Sequence, residues 1–293
     1  MPTYRGRFAP SPTGPLHFGS LFAAVISYLE ARSHNGEWLV RIEDVDPLRE
    51  QKSASKNILD ALTCHGLLSD APILYQSTRS DLYQHTIDSL EKTNHAFACP
   101  CSRKYLHDHH GVHKPNCINQ SIELTECATK FRTNQIEKEH NIFIWNDKFQ
   151  SSQVRNLIED FVLKRKEGFY AYQLAVVCDD IEQNVTHVVR GYDLLESTPM
   201  QLALYQALKK MPPEFAHFPV VTFKNGQKLS KQNKAPAINN KLALDNLLAV
   251  FSLLNLKLKY KPDNCKNALN EALESWDSNF LYGKSELIQD SRL

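Results

Sequence analysis

Arg7-Phe8-Ala9-Pro10-Ser11-Pro12-Thr13-Gly14-Pro15-Leu16-His17-Phe18-Gly19-Ser20 lies near the start of the chain, and its reading decides the fold. Residues 4–8 read as an arginine-bearing strand. Three prolines and Gly14 then make a stiff loop that opens onto an apolar-periodic helix over 21–32. A strand that delivers a rigid turn to a helix N-terminus makes an anion site, because the first amides of the helix lack partners and the dipole is positive there. Gly19, with no Cβ, allows a close approach to the backbone, and His17 offers ring nitrogens to phosphate oxygens. The five residues Pro15-Leu16-His17-Phe18-Gly19 alone are better read as a proline-stiffened loop with a satisfied histidine, so the remainder of the chain has to decide between the two.

Outward from that stretch, the pattern alternates strands and helices. Residues 37–43 alternate, with Trp38, Val40 and Ile42 on one side and Leu39, Arg41 and Glu43 on the other. Glu43 then falls at a strand's C-terminal end, where open α/β sheets bind ligands. Asp46-Pro47 reads as a helix start, Ile58, Leu59, Leu62 and Leu67 as its apolar face, and 78–92 as a further helix. Strand–helix–strand–helix order predicts a parallel sheet. Residues 170–177 read as a buried strand, 186–190 as another, 194–211 as a helix and 217–223 as a strand. Residues 241–256 and 264–275 read as closing helices.

A chain of 293 residues fits one large α/β domain with an insertion, or two domains. The expected division is 1–96 and 169–238 as two halves of a nucleotide-binding domain, 97–168 as an insertion rich in Cys, His and Asn, and 239–293 as a helical segment. Lys and Arg number 34 against 33 Asp and Glu, so global charge neither demands nor excludes a nucleic acid. No apolar run approaches the ~20 residues of a membrane helix. The motif begins too early to leave room for a signal peptide, so a cytoplasmic protein is expected, with no membrane partner.

Several residues suit particular chemistry. Arg7 and Arg190 sit on otherwise apolar strands and are costly to bury without an anion. Two solutions are open: a structural ion pair to Glu43 or Asp179, or a ligand carboxylate gripped by guanidinium groups. With Glu43 facing an ammonium group and Tyr172 donating a phenolic hydrogen bond, the set describes an acidic amino acid. Lys228 and Lys231 flank Ser230 in a loop that is either a solvated basic turn or a device that neutralises polyphosphate charge.

Seven cysteines in a cytosolic chain point to metal rather than disulfides. Cys99, Cys101 and Cys117 form the candidate cluster, and thiolates with imidazole suit zinc. Tyr105, His107, His109, His110 and His113 all compete for a fourth position, with His113 preferred. The expected role is structural.

Together these blocks resemble the class I glutamyl-tRNA synthetases. The opening stretch resembles their HIGH region, Ile42-Glu43-Asp44-Val45-Asp46-Pro47-Leu48-Arg49 their next block, and Val188-Val189-Arg190-Gly191 a third. Lys228-Leu229-Ser230-Lys231-Gln232 resembles their KMSKS loop, with Leu and Gln as departures. The agreement covers about 1–235, which implies a Rossmann-like parallel sheet with a zinc-binding insertion and a short helical C-terminal tail.

The chain is most similar to a shortened branch of the family that puts glutamate on the queuosine base in the anticodon of tRNA(Asp). It stops soon after the KMSKS-like loop, has Val176 where full-length enzymes carry Asn, and has the Cys-x-Cys cluster. The resemblance implies that Arg7, Phe8, Ala9, Pro10, Ser11, Glu43, Tyr172 and Arg190 hold glutamate. It implies that His17, Gly19, Ser230 and Lys231 hold ATP, with His17, Lys228 and Lys231 catalytic. Cys99, Cys101 and Cys117 match zinc ligands, and His113 stands where the branch commonly has Tyr. The implied partners are ATP with Mg²⁺, L-glutamate and queuosine-containing tRNA(Asp), acting on a monomer. A compact enzyme charging tRNA(Glu) and a binding protein without catalysis are the alternatives.

Overall fold

The computed structural model describes residues 3–114, 117, 127–135, 142–157, 159–223, 226, 229 and 236–289. Strand β1 (Arg5–Phe8) leads through the proline-rich loop into α1 (Phe18–Ser33), then β2 (Glu37–Ile42), α2 (Ala54–Cys64), β3 (Leu74–Tyr75) and α3 (Ser80–Lys92). Next come β4 (Ala96–Cys99), α4 (Arg103–Asp108), β5 (Ala128–Phe131), β6 (Ile142–Asp147), β7 (Ser151–Asn156) and β8 (Phe161–Lys164). The second half holds α5 (Tyr172–Glu182), β9 (His187–Gly191), α6 (Thr198–Ala207), β10 (Glu214–Phe218) and β11 (Val220–Phe223). Helices α7 (Ala243–Leu253) and α8 (Cys265–Glu274) and strand β12 (Glu286–Gln289) complete the order.

Strand β2 pairs in parallel with β1 and with β3. Strand β10 pairs in parallel with β9 and β6, and β7 closes that edge antiparallel to β6. The two groups meet where the Thr186 amide donates to the Arg5 carbonyl (3.0 Å) and the Arg5 amide donates to Thr186 Oγ1 (2.8 Å). The layer therefore runs β3-β2-β1-β9-β10-β6-β7, and sequence order reverses between β1 and β9. Open α/β sheets bind ligands at such a switch point, beyond the strand C-termini.

Apolar residues cover both faces. Trp38, Val40, Ile42, Val189 and Ala216 pack with α1, α7 and α8, whereas Val188 and Phe215 pack with α3, α5 and α6. Each fully buried Leu, Phe or Ile here contributes roughly 1.5–3 kcal/mol. Alternation along the strands then sends Arg7, Arg41, Arg190 and His217 to the α5/α6 face, and each is buried.

The hairpin β6–β7, although inside 97–168, belongs to this layer through β6. Among the described residues of that stretch, α4 and the antiparallel sheet β4-β5-β8 lie apart from the layer in their hydrogen bonding. The C-terminal segment adds strand β12, parallel to β11, to its two helices.

Three local readings differ from the structure. Residues 172–182 form helix α5, not a strand. Leu174 to Asp180 are all buried, so the helix shows no polar side to reveal a 3.6-residue period. Asp46-Pro47 does not start a helix: residues 47–49 form a turn and α2 begins at Ala54. The Asp46 carboxylate receives Arg165 Nη1 (2.8 Å) instead of capping backbone amides. The strand expected over 217–223 is divided into β10 and β11, which pair with different partners.

Candidate active site

The strand ends at the switch point border two adjoining cavities of about 330 Å³ each. Arg7, Phe8, Ala9, Ser11, Glu43, Tyr172 and Arg190 line the first. Pro10, Ser11, His17, Gly19, Asp193 and Leu229 line the second, and Phe8, Ser11, Arg49, Gly191 and Leu194 are common to both. Thus seven of the eight residues implied for glutamate share one cavity, and Pro10 lies only in the neighbouring one. The Pro10 carbonyl accepts the Glu43 amide (3.0 Å), which ties the end of β1 to the end of β2. Arg7 and Arg190 open onto the same cavity, as a bipolar ligand site requires.

The two arginines are balanced differently. Arg7 donates Nε (3.1 Å) and Nη2 (3.3 Å) to Asp180, and Arg41 Nη2 reaches the same carboxylate (2.5 Å). The structural ion pair considered for Arg7 therefore exists, one residue beyond Asp179. Asp179 itself accepts from Gln76, Arg79 and Tyr83. Burial alone would raise the Asp180 pKa, but Arg41 and Arg7 hold it below the usual carboxylate range.

Arg190 has only neutral acceptors among the described residues. Nε donates to His217 Nε2 (2.9 Å), and the terminal nitrogens donate to Gln201 Oε1 (2.8 Å), Thr198 Oγ1 (2.8 Å), the Leu194 carbonyl (3.3 Å) and Tyr172 Oη (3.4 Å). Desolvation lowers its pKa. Glu43 is the complementary case. Its Oε1 is buried and accepts no hydrogen bond among the described residues. Burial raises its pKa to about 7 despite Arg41 and Arg7 nearby.

At the second cavity His17 caps α1, its Nδ1 accepting the Ser20 amide (3.3 Å) while Nε2 lies 2.9 Å from Ser20 Oγ. A Cβ on Gly19 would stand 2.8 Å from the Leu229 carbonyl, so the close approach made there is by the chain's own later loop. Lys228, Ser230 and Lys231 lie outside the described residues; Leu229 between them is buried.

Sequence reasoning assigned no role to Arg49, which borders both cavities, or to Arg41, Asp180, His217 and Asp147, which are buried and line neither. The odd-position placement of Arg41 on β2 was the one available signal.

Cys99, Cys101, His113 and Cys117 converge, each offering a ligand atom within 4.8 Å of the others. Cys99 Sγ lies 3.2 Å from His113 Nδ1, and Cys101 Sγ 3.3 Å from Cys117 Sγ. His113 Nε2 lies 3.4 Å from Asp160 Oδ2, whose other oxygen accepts the Thr133 amide (2.7 Å). Burial pushes the Cys117 thiol up to about 12. Three sulfurs and an imidazole beside a carboxylate are compatible with zinc.

The reversed sheet, the capped helix mouth and the paired cavities together define a class I aminoacyl-tRNA synthetase catalytic fold. Residues 3–257 match the family described as tRNA synthetases class I (E and Q), catalytic domain. A glutamyl-Q tRNA(Asp) synthetase of Idiomarina loihiensis is 43% identical over 280 residues, covering 93% of this chain and 96% of the relative. Its counterpart in Shewanella frigidimarina is 42% identical over 290 residues, covering 98% and 97%. A glutamate tRNA ligase of Elizabethkingia meningosepticum, solved in complex with its amino acid, superposes with a TM-score of 0.76 at 26% identity, covering 98% of this chain and 67% of that one. The chain belongs to the glutamyl-Q tRNA(Asp) synthetase family of class I ligases. The resemblance drawn from the sequence blocks is borne out. Among the described residues no helix is long and apolar enough to cross a membrane.

Proposed function

We propose that this enzyme activates L-glutamate with ATP and transfers it to the queuosine base in the anticodon of tRNA(Asp), working in the cytoplasm as a monomer. The observation that carries glutamate is Arg190: a buried guanidinium with only neutral partners among the described residues, opening onto a cavity that also holds Glu43. A side-chain carboxylate completes the first and an α-ammonium the second. The remaining α-carboxylate is then directed toward the adjoining cavity, where the α1 mouth and His17 suit phosphate oxygens.

An α-carboxylate oxygen attacks the α-phosphate of ATP, and pyrophosphate leaves with the electron pair of the broken P–O bond. Ser11 and Arg49 border both cavities, so they are placed to orient the junction of the two substrates. By resemblance, Lys228 and Lys231 neutralise the phosphates and Ser230 binds ATP, from either side of Leu229, whose carbonyl closes on Gly19. Mg²⁺ bound with ATP supplies further neutralisation. A queuosine hydroxyl then attacks the adenylate carbonyl and AMP departs. Zinc held by Cys99, Cys101, His113 and Cys117 ties the segment after β4 in place.

The acceptor assignment rests on the relatives, and it is tested by comparing glutamate transfer to queuosine-containing tRNA(Asp), the same tRNA lacking queuosine, and tRNA(Glu). Transfer confined to the first supports it. Charging of tRNA(Glu) at its 3′ end makes this a compact glutamyl-tRNA synthetase instead, and ATP binding without pyrophosphate exchange makes it a non-catalytic protein.

A further inference from the structure

Behind Arg190 lies a buried chain of side chains that borders neither cavity. His217 on β10 accepts Arg190 Nε through its Nε2 (2.9 Å). A guanidinium N–H can only donate, so this ring nitrogen carries no proton and the imidazole proton sits on Nδ1. Nδ1 faces Asp147 Oδ2 at the end of β6, in a short hydrogen bond. The other Asp147 oxygen accepts three backbone amides, from His217 (2.9 Å), Phe149 (3.1 Å) and Gln150 (3.1 Å). Asp147 and His217 are almost fully buried, at 2% and 0% exposure.

The remaining short bonds of Arg190, to Gln201 and Thr198, also lie on the side away from the cavity. Its two longest, to Tyr172 (3.4 Å) and the Leu194 carbonyl (3.3 Å), border it. The guanidinium is gripped from behind and loosely held in front.

We propose that Asp147 and His217 are positioning residues: Asp147 fixes the tautomer and orientation of His217, which aims Arg190 at the side-chain carboxylate of the amino-acid substrate. Selectivity for an acidic over an amide side chain is thus set partly from behind the cavity. The inference rests on the reading of the cavity as a glutamate site. The negative charge of Asp147 is relayed through a neutral ring rather than placed against the guanidinium, as Asp180 is against Arg7. Arg190 can therefore exchange its two long front contacts, to Tyr172 Oη and the Leu194 carbonyl, for an incoming anion while the three short bonds behind hold it in place.

Asp147→Asn tests the relay with little change of shape. The three amides require its oxygen, which turns its NH₂ toward His217 Nδ1. The imidazole must then place its proton on Nε2, against the Arg190 N–H. His217→Ala removes the acceptor, and His217→Gln restores a carbonyl oxygen near the Nε2 position. The full chain is assayed by ATP–pyrophosphate exchange with L-glutamate and with L-glutamine, alongside calorimetric binding of ATP. We expect Asp147→Asn and His217→Ala to raise the KM for glutamate by about 10- to 100-fold and to narrow the preference over glutamine, with ATP affinity within about twofold of wild type. His217→Gln should recover most of the loss. An unchanged glutamate KM in Asp147→Asn, an equal loss of ATP affinity, or His217→Gln no better than His217→Ala overturns the relay. A wild-type enzyme with no glutamate-dependent exchange overturns the glutamate reading itself, and the relay with it.

Discussion

The β1 side and the β9 side of the cleft each bury an arginine, and they balance it in opposite ways. Arg7 shares Asp180 with Arg41, and that carboxylate lies directly against both guanidinium groups. Arg190 is surrounded by an imidazole, an amide oxygen, a carbonyl and two hydroxyls. Both sides cost desolvation. On the β1 side the chain itself supplies the counter-charge, so Arg7 and Arg41 brace the sheet and hold a fixed positive edge. On the β9 side the described residues supply no charged partner, and the proposed glutamate site assigns that compensation to the ligand and recognition to Arg190. A buried cation with a complete carboxylate partner says little about ligands; one without says a great deal.

The largest expected effect breaks the braced side. Asp180→Asn leaves Arg7 and Arg41 buried without their carboxylate, and about 3–5 kcal/mol of stability should be lost, read as a fall in the urea midpoint at constant slope. Arg190→Lys is the paired experiment. It retains the charge but loses the fork, since an ammonium cannot reach five acceptors in one plane. Stability should fall less than in Asp180→Asn, whereas kcat/KM for glutamate should drop by about 10- to 150-fold. If Asp180→Asn is nearly neutral in stability, or Arg190→Lys matches it there while sparing kcat/KM, the contrast between the two sides is wrong.

The sequence carried much of this contrast but not its sign. Arginines on apolar strands announced buried charge, and Glu43 at a strand end announced the cleft. Which arginine would be paired internally was open, because the answer lies in Asp180, 173 positions from Arg7 along the chain. Misreading 170–177 as a strand made this harder. As a strand, Asp179 and Asp180 would come after its end, whereas in α5 they occupy successive positions and Asp180 reaches β1 and β2. An apolar run buried on all sides gives no periodicity, and length alone did not arbitrate. The convergence of the cysteines was more legible, since Cys-x-Cys spacing is local. Only His113 needed coordinates, because five candidate side chains share one short stretch.

That cluster extends the comparison to a third site, whose sulfur and imidazole atoms are compatible with a cation from outside. Here the chain supplies sulfur and imidazole atoms, and Asp160 Oδ2 lies 3.4 Å from His113 Nε2 while Nδ1 faces Cys99. Asp160→Asn should leave three sulfurs in place but weaken the fixed ring orientation. A 10- to 100-fold loss of zinc affinity is expected in competition with a chromophoric chelator, by the usual weight of such a supporting carboxylate, roughly that of one hydrogen bond to a ligand. Loss of all zinc would instead mean that Asp160 holds the whole segment, and no change would place the fourth ligand elsewhere.

Glu43 gives the smallest effect and the sharpest sign. Its carboxyl has an ordinary value of 4.5 and is raised to about 7 in the folded protein, chiefly by burial. Arg41 and Arg7 pull it down, while Asp180 and Asp179 push it up. A carboxyl whose pKa is raised by folding binds its proton more tightly when folded. Its contribution to the stability of the unliganded enzyme is therefore greatest below 4.5 and is lost as pH rises through about 7. Glutamate binding should run the other way. The α-ammonium pairs with the ionised carboxylate, so protonating Glu43 weakens the complex. Apparent affinity for glutamate should fall by up to about tenfold per pH unit as pH drops below 7, while ATP affinity stays flat. Glu43→Gln should bind glutamate weakly at every pH and flatten the slope. Opposite slopes for unliganded stability and for glutamate affinity, both abolished by that one substitution, would show that Glu43, like Arg190, is completed by the ligand. Parallel slopes would assign Glu43 to the braced side with Asp180.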